Sequence, residues 1–228
     1  MKQFSEIIAA SPLFCGISPD ELPHALRCLY ARMRRYKKAE LILRVGASTD
    51  DFGMLLDGFV CVVREDFWGN RNLVAKLEPG DLYAEAFAFS TESQVSVDVV
   101  ADSDCTVMLL SASRVLRSAD ECKIRTRLMN NLVGVLAEKN LRLREKLSHM
   151  GMRTTREKLL SYLSAMARKA QSNEFTIPLT RQQLADYICV ERSAMSTELS
   201  KLKSDGLLDY DRNHFILLGE GQANSNDI

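Results

Sequence analysis

The stretch from Thr180 to Gly206, TRQQLADYICVERSAMSTELSKLKSDG, constrains this chain most, because it specifies two helices and the turn between them locally. Thr180 can accept from a free backbone N–H at a helix start, and Gln183 can reach back three residues later, which makes a capping box. Leu184 and Ile188 lie one turn apart with Ala185 beside them, and this small side chain lets a second helix cross closely. Cys189-Val190 reads as the turn, with Val190 plugging the corner. The second helix buries Met195, Leu199 and Leu202 at i, i+4 and i+7, and Gly206 ends it in a left-handed conformation. Opposite that stripe lie Arg192, Ser193, Ser196, Thr197, Ser200 and Lys201. Short hydrogen-bonding side chains with a few cations suit a helix lying in a DNA major groove. An ordinary helical hairpin with a polar outer face has the same apolar pattern, so the flanks matter. Leu207 to Tyr210, the turn cluster Asp211-Arg212-Asn213 and His214 to Leu218 read as a β-hairpin directly after the second helix, which is the order of a winged helix.

The first half has a different texture. Leu41 to Leu43, Phe52 to Leu56, Phe59 to Val63, Leu73 to Leu77, Val95 to Val100 and Cys105 to Leu110 are short apolar runs that read as strands. Turn signals separate them at Gly46, Asp57-Gly58, Gly69-Asn70, Pro79-Gly80-Asp81 and Ala101 to Asp104. Short strands at near-regular spacing predict a β-barrel or jelly roll. Ahead of it, Ser18-Pro19-Asp20-Glu21-Leu22 starts a helix that runs to Arg34 or Arg35.

Between the halves a long helix is expected from Ala119 to Met150. Met129, Val133, Leu136, Asn140, Leu143, Leu147 and Met150 follow one another in steps of four and three. That is a heptad seam with one Asn at a core position, which suits a parallel two-stranded coiled coil in which Asn140 pairs with its twin. The alternative is a helix packed on its own barrel with Asn140 exposed. Gly151 interrupts the helix, and Thr154-x-x-Glu157 opens another with a second capping box, which makes Gly151 a hinge candidate.

The chain has 228 residues, enough for two modest domains, and zero formal net charge, so any DNA affinity must come from a local surface. Six cysteines, at 15, 28, 61, 105, 122 and 189, show no paired spacing. With no secretory signal and no apolar run able to cross a bilayer, the expectation is a cytoplasmic protein with free thiols. No nucleophile–base pair, metal spacing or phosphate loop points to an enzyme.

The ordered set of barrel, long helix, capping box, helix-turn-helix and wing resembles the Crp/Fnr transcription regulators over nearly the whole chain. SPLFCGIS at positions 11–18 is similar to that family's opening segment. Gly46, Gly58 in LLDGFV and PGDLYAE at 79–85 are similar to its cyclic-nucleotide-binding-type barrel. Thr180 onward is similar to its winged helix. The resemblance implies an α+β protein: a sensor domain over 1–118, a dimerisation helix over 119–150, a winged helix-turn-helix domain over 151–219, and a disordered tail over 220–228. It implies a homodimer on an inverted-repeat operator, switched by a small-molecule effector and contacting RNA polymerase if it activates, with no membrane association. A cyclic-nucleotide-responsive module acting on a partner protein is the alternative.

Departures from the family pattern bear on the effector. Members that bind cyclic AMP use a Gly-Glu pair at a short helix start and an Arg-Ser pair about ten residues on. Here Ala84 replaces the Gly, Glu85 remains, and the Arg position falls on Val95 with Ser96 kept. Losing that Arg removes the charge-assisted contact to phosphate, so cyclic AMP is not expected. The polar pair that meets the adenine falls on Arg142 and Leu143. Glu85, Phe87, Val95, Ser96 and Arg142 are the candidate effector pocket, for a rather apolar or aromatic ligand; Phe87, Phe89 and Val95 as plain barrel packing is the other reading. Iron–sulfur and haem sensing are not expected, because the cysteines are too dispersed and His24, His149 and His214 are isolated. For DNA, the family's base-contacting positions fall on Arg192, Ser193 and Thr197. Lys201, Lys203, Arg181 and Arg212 suit phosphates, or are ordinary solvated cations.

Overall fold

Two strands buried on both faces organise the first half of the computed structural model, in which residues 4–69, 71–90, 94–117 and 123–218 are described. They are β3 (Asp51–Asp57) and β8 (Cys105–Ser111), paired antiparallel with Met54 opposite Met108. Phe52, Met54, Leu56, Met108 and Leu110 share one face, while Leu55, Cys105 and Val107 share the other. β1 (Arg32–Tyr36) and β6 (Leu82–Tyr83) complete this sheet in the order β1-β8-β3-β6. A second sheet, ordered β2-β7-β4-β5, holds β2 (Leu41–Leu43), β4 (Val60–Glu65), β5 (Arg71–Leu77) and β7 (Asp98–Ala101). Leu55, Tyr83 and Val107 of the first sheet meet Val60, Leu77, Val99 and Ala101 of the second in one interior. Two sheets closed over a shared core are the expected jelly-roll-like sensor domain.

Helices cover the outer face of the first sheet. These are α1 (Ser5–Ala10) and α2 (Leu22–Cys28), with the short α3 (Glu85–Ala88) and α4 (Ala112–Arg117) leading to the long α5 (Lys123–Met150). Ile8, Leu26, Leu128 and Leu132 are buried together against Phe52, Met54 and Met108. Asn131 of α5 donates through its amide to the Leu13 and Cys15 carbonyls at 2.9 and 2.8 Å. Among the described residues no helix is long and apolar enough to cross a membrane.

The chain divides into two compact units, Met1–Asn140 and Leu141–Ile228. The second holds α6 (Thr155–Ala170), β9 (Glu174–Thr176), α7 (Arg181–Ile188), α8 (Arg192–Ser204), β10 (Leu208–Asp211) and β11 (His214–Leu217). Its sheet is ordered β10-β11-β9, and its core gathers Leu159, Leu163, Leu184, Ile188, Met195, Leu199 and Phe215. The last turns of α5 pack within this unit. The buried Lys146 ammonium lies 4.4 Å from the Tyr187 ring centroid, and His149 Nδ1 lies 2.8 Å from Ser161 Oγ. Burial pushes the Lys146 pKa down to about 8 and that of His149 below its usual value. α5 ends at Met150, and α6 opens with the expected capping box of Thr154 and Glu157.

Several expectations need correction. α2 stops at Cys28 instead of reaching Arg34 or Arg35. Leu29 caps it, Tyr30 turns to φ +50°, and the Ala31 N–H closes back on the Leu26 carbonyl at 3.0 Å. The Arg-rich run then becomes the edge strand β1, where pairing with β8 outweighs helix propensity and exposes the cations. β7 begins only at Asp98, because Val95 instead exchanges backbone hydrogen bonds with the Gly46–Ala47 turn. β6 and β9 were not expected. The helix start at Ala119, Cys122 and the 220–228 tail lie outside the described residues.

Gly46 and Gly58 test how space adds to backbone strain. Both have positive φ, +82° and +81°, but a Cβ on Gly46 would meet nothing within 4 Å among the described residues, whereas one on Gly58 would lie 2.3 Å from the Asp104 carbonyl oxygen. Gly46→Ala is expected to cost about 1–2 kcal/mol, the left-handed penalty alone. Gly58→Ala should cost a further ~1–3 kcal/mol from the forced backbone shift. Urea unfolding of both variants checks this, and equal losses would refute it.

Candidate functional site

The recognition segment is built from its inner face outward. Thr180 Oγ1 accepts from the Gln183 N–H at 3.3 Å while Gln183 Oε1 accepts from the Thr180 N–H at 3.0 Å, which starts α7. α7 ends as Cys189 turns to φ +52°, and the Val190 N–H closes on the Ala185 carbonyl. Val190 is half-buried at this corner. Met195, Leu199 and Leu202 are buried along α8, as are Leu184, Ala185 and Ile188 along α7. With these side chains inward, Arg192, Ser193, Ser196, Thr197, Ser200 and Lys201 are all exposed. Gly206, at φ +70°, follows the Asp205 cap.

Hydrogen bonding shapes what that face offers. Thr197 Oγ1 donates to the Ser193 carbonyl at 3.0 Å, and Ser200 Oγ donates to the Ser196 carbonyl at 3.1 Å. With their protons turned back along the helix, both hydroxyls offer lone pairs outward, suited to amino groups on base edges. Lys201 Nζ lies 3.8 Å from Glu198, which also takes Arg156 of α6 at 3.2 Å. The same Arg156 guanidinium reaches Asp205 at 2.7 Å, so one side chain ties α6 to the middle and the end of α8. No local pattern reveals Arg156, because its partners stand 42 and 49 residues away in sequence.

The remaining predicted cations differ in their surroundings. Arg181 is half-buried, with its guanidinium 4.6 Å from the Tyr210 ring and 5.0 Å from the Phe215 ring, and its Nη1 is buried with no hydrogen-bond partner among the described residues. It pins the start of α7 to the wing. Lys203 pairs with Asp209. Arg212 sits exposed at the wing turn with φ +52°.

In the sensor half, Glu85 is 4% exposed and Oε1 accepts from Lys139 Nζ at 2.7 Å. The same ammonium donates to the Leu82 carbonyl at 2.6 Å, which fastens the β6–α3 junction to α5. Glu85 Oε2 is buried with no hydrogen-bond partner among the described residues. Ala84 holds φ +63° at the start of α3, a conformation that costs a residue with a Cβ about 1–2 kcal/mol. Val95 is buried and carries no charge, Ser96 is exposed, and Phe87 is half-buried. Arg142 belongs to the second unit, where its charge favours the ionised form of Tyr187. The structure brings Lys139 to Glu85. The 54-residue separation of that pair hid it from the sequence.

The expected seam residues on α5 are exposed or half-buried. Val133 is 62% exposed, Leu143 50% and Leu147 64%; Asn140 is exposed too, while Met129 and Leu136 are half-buried.

Comparison with known proteins places both halves. The cyclic nucleotide-binding domain model matches residues 33–121, and the Crp-like helix-turn-helix domain model matches residues 157–220. The transcriptional activator protein FnrL of Cereibacter sphaeroides is 24% identical over 194 residues, 81% of this chain and 75% of that protein. The cyclic AMP receptor protein of Thermus thermophilus is 26% identical over 201 residues, 87% of this chain and 88% of that protein. The structure of FixK2 from Bradyrhizobium japonicum superposes with a TM-score of 0.64 at 21% identity, covering 87% of this chain and 98% of that one.

The Glu85–Lys139 contact makes a direct prediction. Lys139→Met leaves a buried carboxylate unpaired and should cost about 1–3 kcal/mol, after allowance for the part-exposed ammonium. Adding Glu85→Gln should recover most of the loss. A double-mutant cycle by urea unfolding measures the coupling, and additive losses would show that the pair is not an energetic unit.

Proposed function

The chain belongs to the Crp/Fnr family of DNA-binding transcription regulators, and on that premise we propose that it acts as a cytoplasmic homodimer on an inverted-repeat operator, without catalytic activity. The observation that carries this is the exposed polar face of α8, opposite a fully buried apolar stripe. Arg192 reads a guanine, Ser193 and Thr197 read neighbouring base edges, and Ser196 lies between them. Lys201 contacts phosphate. Arg181 supports α7 through the wing aromatics and meets the backbone only at its edge. Met129, Val133, Leu136, Asn140, Leu143 and Leu147 form the dimer seam, and residues 1–118, 119–150 and 151–219 serve as sensor, dimerisation helix and DNA-binding part. A dimer that activates would also touch RNA polymerase.

The effector we propose is a small molecule other than cyclic AMP. Val95 supplies no charge for a cyclic phosphate, and Lys139 holds Glu85 Oε1 in an ion pair, which leaves a ribose hydroxyl one carboxylate oxygen instead of two. The pocket we assign to Glu85, Phe87, Val95 and Ser96 takes a rather apolar or aromatic ligand, which can also be anionic. Arg142 then keeps its place beside Tyr187. A ligand that rearranges the Glu85–Lys139 contact acts directly on α5, and so on the seam.

Arg192→Ala should cost about 1–3 kcal/mol on the selected site and relax preference at one symmetric base pair. Lys201→Ala should weaken specific and non-specific binding alike and flatten the salt dependence. Selected-site profiles at two salt concentrations separate these outcomes, and unchanged base preferences for Arg192→Ala would remove α8 as the reading helix. Glu at Leu136 and Leu143 should give monomers in sedimentation with little operator binding, since each monomer docks one half-site. Titration calorimetry should detect no tight cyclic AMP binding by the wild type; saturable tight binding would overturn the argument from Val95 and Lys139.

A further inference from the structure

The β4–β5 turn carries the most exposed large apolar side chains among the described residues. Phe67 is 95% exposed and Trp68 is 81% exposed. They are held, not loose. Asp66 Oδ1 accepts from the Trp68 N–H at 2.9 Å, the Gly69 N–H closes on the Asp66 carbonyl at 3.0 Å, and the two rings meet edge to face at 5.9 Å. Glu65 and Asp66 stand immediately before the rings, with Arg64 and Arg71 farther out on the two strands. An ordered aromatic pair of this kind is the usual anchor of a protein–protein contact. The two acids next to the rings favour an apolar socket with a cation at its edge.

The same unit carries such a socket. A groove of about 460 Å³ opens on the α1–α2 surface, lined by Ile8, Leu22, Pro23, Leu26, Arg27 and Tyr30. Arg27 and Tyr30 are exposed at its edge. The Arg32 and Arg114 guanidiniums lie 5.1 and 5.8 Å from the Tyr30 ring centroid; Arg32 is paired with Asp51, so Arg27 and Arg114 are the cations near this edge. The groove is mostly apolar, has room for an aromatic side chain, and carries the charge opposite to that of the tip. With both rings in solvent, a chain's own tip does not fill its own groove.

We propose that the Phe67–Trp68 tip of one copy seats in the α1–α2 groove of another, with Glu65 and Asp66 facing Arg27. Tip and groove are different surfaces, so the contact is heterologous and links copies beyond a two-fold dimer. It is independent of DNA binding and of the α5 seam.

Trp68 is the single tryptophan of the chain, so its emission reports on the tip alone. Wild type at low concentration is titrated with Trp68→Ser chain, which is dark but keeps its groove. Trp68 emission should shift to shorter wavelength and become less accessible to acrylamide, while sedimentation shows mass beyond a dimer. A Trp68→Ser/Arg27→Glu titrant should shift emission far less, and Glu65→Arg in the emitting chain should restore the shift toward that titrant. Emission unchanged by added chain overturns the proposal. So does an equal shift from the Arg27→Glu titrant, or a shift produced by phosphatidylglycerol vesicles and not by the chain.

Discussion

A single helix cannot bury two apolar stripes inside one small domain, and α5 carries two. One stripe, with Leu128 and Leu132, is consumed by the sensor core, where Asn131 and Lys139 add polar anchors. The other leaves Val133, Leu143 and Leu147 in solvent. Covering such side chains is worth roughly 1.5–3 kcal/mol each, which neither charge nor propensity on this helix replaces. A second copy of the same helix is the proposed cover, and two reading helices on one operator follow from it.

The sensor end of α5 ends in a contact that can be exchanged. A buried ion pair adds little net stability, because desolvating both charges offsets most of their attraction, yet removing one partner is costly. The Glu85–Lys139 pair therefore behaves better as a latch than as a brace. Its second carboxylate oxygen is unsatisfied among the described residues, so a donor from a ligand has a place to bind before the pair is disturbed. At the other end, Lys146 and His149 are buried in the second unit, so this helix has side chains committed at both ends.

What was legible in the sequence was local. The boxes at Thr154 and Thr180 each need only four consecutive residues, and both formed as expected. The α8 stripe and the wing hairpin were equally local. What was missed depended on partners far along the chain. β1 reads as helix until β8 pairs with it, and β6 and β9 are too short to carry a periodic signal. Arg156 and Lys139 are ordinary surface cations in the sequence; only folding supplies Glu198, Asp205 and Glu85. Arg181 reads as a phosphate contact by position, yet its guanidinium lies over the wing aromatics.

The central claim is that the exposed stripe of α5 meets its own twin in parallel register. A cysteine at Asn140 tests this most directly, because in a parallel seam that position faces itself. On mild oxidation Asn140→Cys should give a covalent dimer, in far higher yield than the wild-type cysteines give, and the product should still bind operator. An Asn140→Cys chain that stays uncrosslinked while remaining folded would contradict the account.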